Sequence, residues 1–231
     1  MNYEFSGLEP ASRYRAAIAR EFVSITAGRV LEVGAGIGQM TGVLRRSPGV
    51  THYAAVEPDN AFHASFRDRH PAIPLHSSLP ADTDWDTVLA INVLEHIPED
   101  RVALAAWADR LRHRGGRIGL FVPARPELFA PIDQAFGHQR RYTRPQLRAA
   151  LESVGFRVER LHYFNLVGYF GWLWLYRILG RRRFDAGAVR FFDRWIFPAG
   201  NALERLGIRP PFGQSLVAIA SMDATRNSDL G

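Results

Sequence analysis

Cysteine is absent from all 231 residues, which removes disulfides, thiolate nucleophiles and cysteine metal sites from the available chemistries. Lysine is absent as well, so the 29 basic residues are all arginine and the formal net charge of +6 rests on guanidinium groups alone. Compositional bias accounts for much of that, and net charge by itself identifies no partner. Arginine does favour bidentate contact with carboxylate or phosphate, so local clusters matter. The apolar stretches are interrupted and fall short of the about 20 predominantly apolar residues that a membrane-crossing helix needs. At the N-terminus, MNYEFSGLEP places acids before any basic or apolar run, unlike a secretory signal. A cytoplasmic location is expected, with peripheral contact at the inner membrane face as the variant to keep. Apolar residues make up 47% of the chain and charged residues 23%, a globular balance that argues against extensive disorder. At this length a single core is expected, covering residues 1–221, and the MDATRNSDLG segment at 222–231 has too little to bury and reads as a tail.

What is present is a glycine-rich turn. The segment VLEVGAGIG, Val30 to Gly38, places an apolar strand directly before Gly34, Gly36 and Gly38, and Glu57 closes the next apolar run. A strand ending in closely spaced glycines can turn sharply into a helix and leave backbone donors open to a ligand. Glu57, at the neighbouring strand end, could accept from both ribose hydroxyls. A nicotinamide dinucleotide site is the alternative, but its GxGxxG spacing has Gln39 where the last glycine belongs. A structural turn without a ligand is the other.

Around that turn, strands and helices alternate. Apolar spacing predicts a helix from Arg13 to Ile25, a strand from Arg29 to Val33 and a helix from Ile37 to Arg46. A strand from His52 to Glu57, a helix from Asn60 to Arg69 and a strand near Ile73 to His76 follow. Next come a buried strand from Trp85 to Ile91, a helix from Glu99 to Arg112 and a strand from Gly116 to Val122. Thr143 and Gln146 form a capping-box signal with Pro145 in the first turn, so a helix is expected from Arg144 to Ser153, ended by Gly155. Phe156–Tyr163 and Ser215–Ala220 are the last strand candidates, a hairpin-like edge whose connection is an aromatic insertion at 165–214. The plan is an α/β three-layer sandwich with ligands outside the carboxyl ends of its parallel strands.

Taken together, LEVGAGIG at 31–38, VEP at 56–58 and WDTVLAINVLEHIPED at 85–100 resemble a class I S-adenosylmethionine-dependent methyltransferase over most of residues 28–164. The resemblance implies a Rossmann-like fold with a seven-stranded, mostly parallel sheet and S-adenosyl-L-methionine as cofactor. It implies methionine-side contacts at Glu32, Gly34, Ala35, Gly36 and Gly38, and ribose contacts at Glu57 and Pro58. The adenine end would meet Ser77, Ser78 and Leu79, where the family often has an acid. Asn92, Val93 and His96 at the fourth strand, with Tyr14, would complete the pocket. Glu95 and His96 offer no recognisable tetrahedral metal spacing, and no metal is expected.

The loop FVPARPELFAPIDQAFGHQRRYTRPQL, Phe121 to Leu147, starts at a strand's carboxyl end and can bring Asp133, His138, Arg140, Arg141 and Tyr142 towards the methyl group. Its GHQRRYT segment resembles a GHxRRY pattern of a bacterial branch of these methyltransferases. His138 is the first general-base candidate and His96 the second, each with a structural alternative, while Tyr142 could hold the acceptor. Within the insertion, Tyr169 and Trp172 are acceptor-binding candidates, and the run reads as a lid, a homodimer interface or a membrane-surface contact, in that order. The expected acceptor is a small or medium-sized, partly apolar molecule methylated at oxygen or nitrogen. A membrane-associated methyltransferase of a quinone or polyprenyl lipid and a non-catalytic cofactor-binding scaffold are the alternatives. Nucleic acid is not expected, because the basic clusters are short.

Overall fold

The computed structural model describes residues 7–111, 115–205 and 210–222. Helix α1 (Ser12–Phe22) leads into β1 (Ala27–Val33), which pairs in parallel with β2 (Gly49–Val56) on one side and β4 (Thr87–Ile91) on the other. β3 (Leu75–His76) adds to β2, and β5 (Arg117–Pro123) adds to β4, both in parallel. β7 (Ser215–Met222) inserts antiparallel between β5 and β6 (Phe156–Phe164), giving the order β3-β2-β1-β4-β5-β7-β6. The seven-stranded, mostly parallel α/β sheet is the one the sequence implied. Its strand order reverses direction between β1 and β4, where a crevice opens at the carboxyl ends of parallel strands.

The inner strands are buried on both faces, which explains their continuous apolar runs. One face packs Leu31, Val88, Leu104 and Trp107 against α4 (Asp100–Leu111) and α6 (Arg144–Ser153); the other packs Phe22, Val30 and Leu89 with α1. α6 spans the expected residues, with Thr143 accepting from the Gln146 amide and Gln146 reciprocating. α2 (Thr41–Leu44) and α3 (His63–Arg69) follow β1 and β2.

Several boundaries differ for identifiable reasons. The helix expected from Ile37 is reduced to α2, because Gly36 (φ 55) and Gly38 (φ 81) occupy the left-handed region and no right-handed helix can run through them. α1 stops at Phe22, where the Thr26 hydroxyl and amide both bond the Phe22 carbonyl and turn the chain into β1. Trp85 is buried but precedes β4. The tail expected from Met222 lies, beyond that residue, outside the described residues, and Met222 itself ends β7.

The insertion forms a cap over the sheet's carboxyl edge. It comprises α7 (Leu166–Trp172), a π-helical continuation at Leu173–Ile178, α8 (Ala186–Phe191), a second π-helical stretch at Phe192–Ile196 and α9 (Phe197–Arg205). Each of its acids is spent on helix ends. Asp193 accepts from the amides of Arg13 and Tyr14, Glu204 from those of Asn165 and Leu166, and Asp185 from that of Ala188. No helix among the described residues is long and apolar enough to cross a membrane.

Candidate active site

The turn after β1 is closed by its own hydrogen bonds. The amides of Gly34 and Ala35 both donate to the Val56 carbonyl, at 2.8 and 3.1 Å, and the Gly36 amide donates to Glu57 Oε2 at 2.7 Å. The open backbone donors expected at these three glycine-loop positions are therefore already used, because β1 and β2 end side by side. What the glycines allow is close approach of the turn to its neighbours. A methyl group at Gly34 (φ 70) would sit 2.4 Å from Val93 Cγ2, so side chains are kept out where loop and β4 meet. The other Glu57 oxygen accepts from the Asp59 amide at 2.9 Å, which fixes the carboxylate while leaving each oxygen a second acceptor position.

Exposed Pro58, Ser77, Ser78 and Asn92 stand along the same strand-end edge, Leu79 packs against the core behind them, and Ala35 is buried. Asn92 adopts φ 54, a left-handed conformation that asparagine tolerates, and its amide donates to the Phe121 carbonyl at 2.7 Å. A fixed acid, two hydroxyls and a carboxamide around a glycine-rich turn fit the donor and acceptor needs of an adenosyl group. Glu32 lies deeper than expected. Buried beneath the loop, its carboxylate accepts from the hydroxyls of Thr41 and Tyr53, and burial, opposed by those two bonds and aided by Glu57, pushes its pKa up to about 7.

Beside Asn92 a cavity of about 180 Å³ runs under the cap. Its polar wall includes Asn92, His138, Arg141 and Asn165, and its apolar wall includes Trp172 and Phe184. The GHQRRY segment builds the polar end around Asp133, a fully buried carboxylate in α5 (Pro131–Ala135). Asp133 accepts from the Ala130 amide at 2.9 Å, from His138 Nδ1 at 2.9 Å, and from Arg141 Nε and Nη2 at 3.0 and 2.9 Å. Burial acts to raise its pKa, but His138 and Arg141 outweigh it and hold the carboxyl below its ordinary range. With Nδ1 facing the acid, His138 keeps Nε2 for the cavity; this atom is buried and has no hydrogen-bond partner.

The other candidates separate. Arg140 and Tyr142 turn away from the cavity to Asp100: Arg140 Nη1 lies 2.9 Å from its carboxylate, and the Tyr142 hydroxyl donates to it at 2.9 Å. Burial and that carboxylate push the Tyr142 phenol far up, so it serves as a tether for the loop and neither holds nor deprotonates an acceptor. Asp133 is likewise buried behind the wall and supports His138 instead of touching an acceptor.

His96 packs edge-on against the His138 ring at 4.7 Å. Burial and the neighbouring imidazole lower its pKa to about 4 against its bonds to the Gly137 and Phe136 carbonyls, which leaves a weak base. Together with Glu95 and His138 it is one group among the described residues with metal-ligand geometry, brought together by a contact that local spacing did not reveal. Tyr14 lines the cavity instead of the glycine turn, edge-on to Phe197 at 5.2 Å, and burial raises its phenol to about 12. Trp172 lines the cavity, donates to the Leu128 carbonyl at 3.2 Å and carries the Arg141 guanidinium 4.5 Å above its ring. Tyr169 packs on Phe212 outside the cavity lining.

Asn165, Gln214 and Ser215 were missed as wall residues. Asn165 has φ 62, donates to Gln214 Oε1 at 2.7 Å and accepts from the Gly168 amide at 2.9 Å. An asparagine between a strand and a helix was the available signal.

A family model described as a methyltransferase domain matches residues 9–161. The chain belongs to the methyltransferase domain family. Solved structures of the same fold include a chain from the complex between the Haloferax volcanii Trm112 methyltransferase activator and a methyltransferase, at TM-score 0.62 and 16% identity, covering 94% of this chain and 92% of that one. An S-adenosylmethionine-dependent methyltransferase from Mesorhizobium loti aligns at TM-score 0.60 and 14% identity over 93% and 99% of the two chains. The [4+2]-cyclase SpnF also aligns, at TM-score 0.57 and 18% identity over 91% and 81%. No curated protein matches the sequence. Within this methyltransferase domain the fold is therefore shared with a cyclase, so the reaction must be argued from the site.

Proposed function

We propose that this methyltransferase moves the methyl group of S-adenosylmethionine to an oxygen or nitrogen of a partly apolar molecule held under the cap. The observation that carries the reading is His138 Nε2, buried without a partner on the wall of a cavity that begins at Asn92, beside the strand-order reversal. Glu57 would bind the ribose hydroxyls, Ser77 and Ser78 the adenine end, and Gly34 and Gly36 the methionine side. Bound there, the sulfonium supplies an electrophilic methyl carbon and needs no activation by the protein.

The chain's own contribution is placement and proton removal. The apolar wall of Trp172 and Phe184 holds the acceptor's body and excludes water, so its nucleophile is aligned at the polar end. His138 accepts the acceptor's proton at Nε2, because Asp133 holds Nδ1–H and stabilises the imidazolium that forms. Arg141 keeps Asp133 ionised throughout. An acceptor that is already nucleophilic, such as a neutral amine, would depend on placement more than on the base.

The test is incubation with methyl-labelled S-adenosylmethionine and a chemically diverse extract, followed by mass analysis for a matched methyl shift. A labelled product absent from a His138→Ala reaction supports the reading. Tight cofactor binding with no product in any fraction would favour a scaffold.

A further inference from the structure

The helix formed by α7 and its π-helical continuation is apolar on two opposite sides. Its inner side, including Gly171, Trp172 and Tyr176, lines the cavity. Its outer side carries Phe170, Trp174 and Ile178, four residues apart and 55, 59 and 57% exposed. Across the cap hairpin Phe191 and Trp195, again four apart, are 58 and 62% exposed. Among the described residues, every exposed large apolar side chain except Val23 and Val102 belongs to the cap. A helix apolar on both sides belongs in a buried setting, and exposed aromatic side chains concentrated on one part of the fold mark an interaction surface.

The charges around this face select the partner. Arg181, Arg182, Arg190 and Arg194 are exposed on the cap, while Asp185, Asp193 and Glu204 accept from backbone amides at helix starts. The cap therefore presents aromatic side chains bordered by guanidinium groups. A second copy of the chain would bring like charges together, whereas an anionic lipid surface supplies phosphates to the arginines and an interfacial layer suited to tryptophan. No described helix crosses a bilayer, so the contact would lie in the plane of its surface.

We propose that the outer face of the cap docks on an anionic bilayer and that the acceptor is an amphiphile drawn from it into the cavity beneath. The second half rests on the cavity being the acceptor site, as argued above; the docking does not. One helix would then serve both, with Trp174 in the headgroup layer and Trp172 against the acceptor's apolar body.

The full-length protein is mixed with vesicles of phosphatidylcholine alone or of phosphatidylcholine with phosphatidylglycerol, at low and high salt. Binding is followed by flotation and by tryptophan quenching with brominated lipid. The mixed vesicles are expected to bind at least about tenfold more protein, with quenching and with residual binding at high salt from apolar insertion. Trp174→Glu/Trp195→Glu is expected to lose about tenfold in partitioning and most of the quenching while its circular dichroism and melting temperature stay those of the parent.

Failure to float with either vesicle overturns the docking, as does a dimer in sedimentation that the double substitution dissolves. The acceptor is tested separately by partitioning the labelled product between organic and aqueous phases. An aqueous product overturns the amphiphile while leaving the docking in place. A complete lack of labelled product in the presence of vesicles points instead against methyl transfer.

Discussion

Replacing Asp133 by asparagine keeps its shape and removes its charge from the centre of the GHQRRY cluster. Three groups of the same loop converge on that carboxylate: the Ala130 amide, His138 Nδ1 and the Arg141 guanidinium. Arg141 would remain buried with no anion facing it, held by a neutral amide oxygen, the Ala124 carbonyl at 3.1 Å and the Trp172 ring. Removing one partner of a buried pair costs about 3–5 kcal/mol, and the retained ring and carbonyl contacts favour the lower end. At this chain length about 3 kcal/mol corresponds to a melting temperature lower by roughly 6–12 °C. Urea unfolding followed by tryptophan fluorescence measures the loss directly.

The pH dependence has a definite sign. The folded Asp133 has a lowered pKa, so its stabilisation is complete above the unfolded carboxylate pKa of about 4 and disappears as pH falls through the lower folded value. The gap between parent and variant should therefore be flat near neutrality and narrow in acid. Adding Arg141→Met should recover part of the loss by removing the stranded charge. A loss under about 1 kcal/mol at neutral pH, or a gap that persists unchanged into acid, would refute the role given to this carboxylate.

Three further expectations concern neighbouring groups. His138→Ala should lower the methylation rate about 10²–10⁴-fold for a hydroxyl acceptor while leaving S-adenosylmethionine affinity by calorimetry within a few-fold; an unaltered rate across the pH profile contradicts the base. Glu32 has a folded pKa raised to about 7, so stability is lost progressively as pH climbs from its unfolded value to about 7 and levels off above it. Glu32→Gln should consequently melt higher than the parent at pH near 8 and show little gain near pH 5, an order read from thermal scans. Gly34→Ala, which would place a methyl 2.4 Å from Val93 at φ 70, should cost about 1–3 kcal/mol and weaken cofactor binding, and retention of both properties would show that the turn tolerates a side chain.

Much of the sheet was legible because buried parallel strands are short apolar runs separated by helical periods. Residues 30–38 and 85–100 carried the switch point on their own. The glycine positions were legible as a turn, but their amides were misjudged. Their partners, the Val56 carbonyl for Gly34 and the Glu57 carboxylate for Gly36, belong to a neighbouring strand end whose register no local pattern states.

The arginine pair carried a local signal. Tyr142 bridges Ala124 in an extended stretch, where alternate residues point to opposite sides. Arg140 and Tyr142 therefore share a side and both reach Asp100, while Arg141 faces Asp133. That alternation, and Asp133 as the partner of one arginine, were readable from the sequence; Asp100 as the partner on the other side was not. His96 and His138 meet only through the folded loop, as do Asn165 and Gln214 across the cap's two ends.

The cap is spliced between strands whose facing ends, Phe164 and Ser215, sit opposite one another in the antiparallel β6–β7 ladder. Neighbouring strands run about 5 Å apart, so the intervening chain leaves and re-enters the scaffold through one narrow gate. Selection could exchange much of this cassette for another of different length or chemistry, provided that the contacts of Phe197 with the sheet and of Asp193 with the start of α1 are kept. The apolar wall proposed for the acceptor and the strand-end edge proposed for the donor thus lie on different stretches, and a graft across that gate is a route to new specificity.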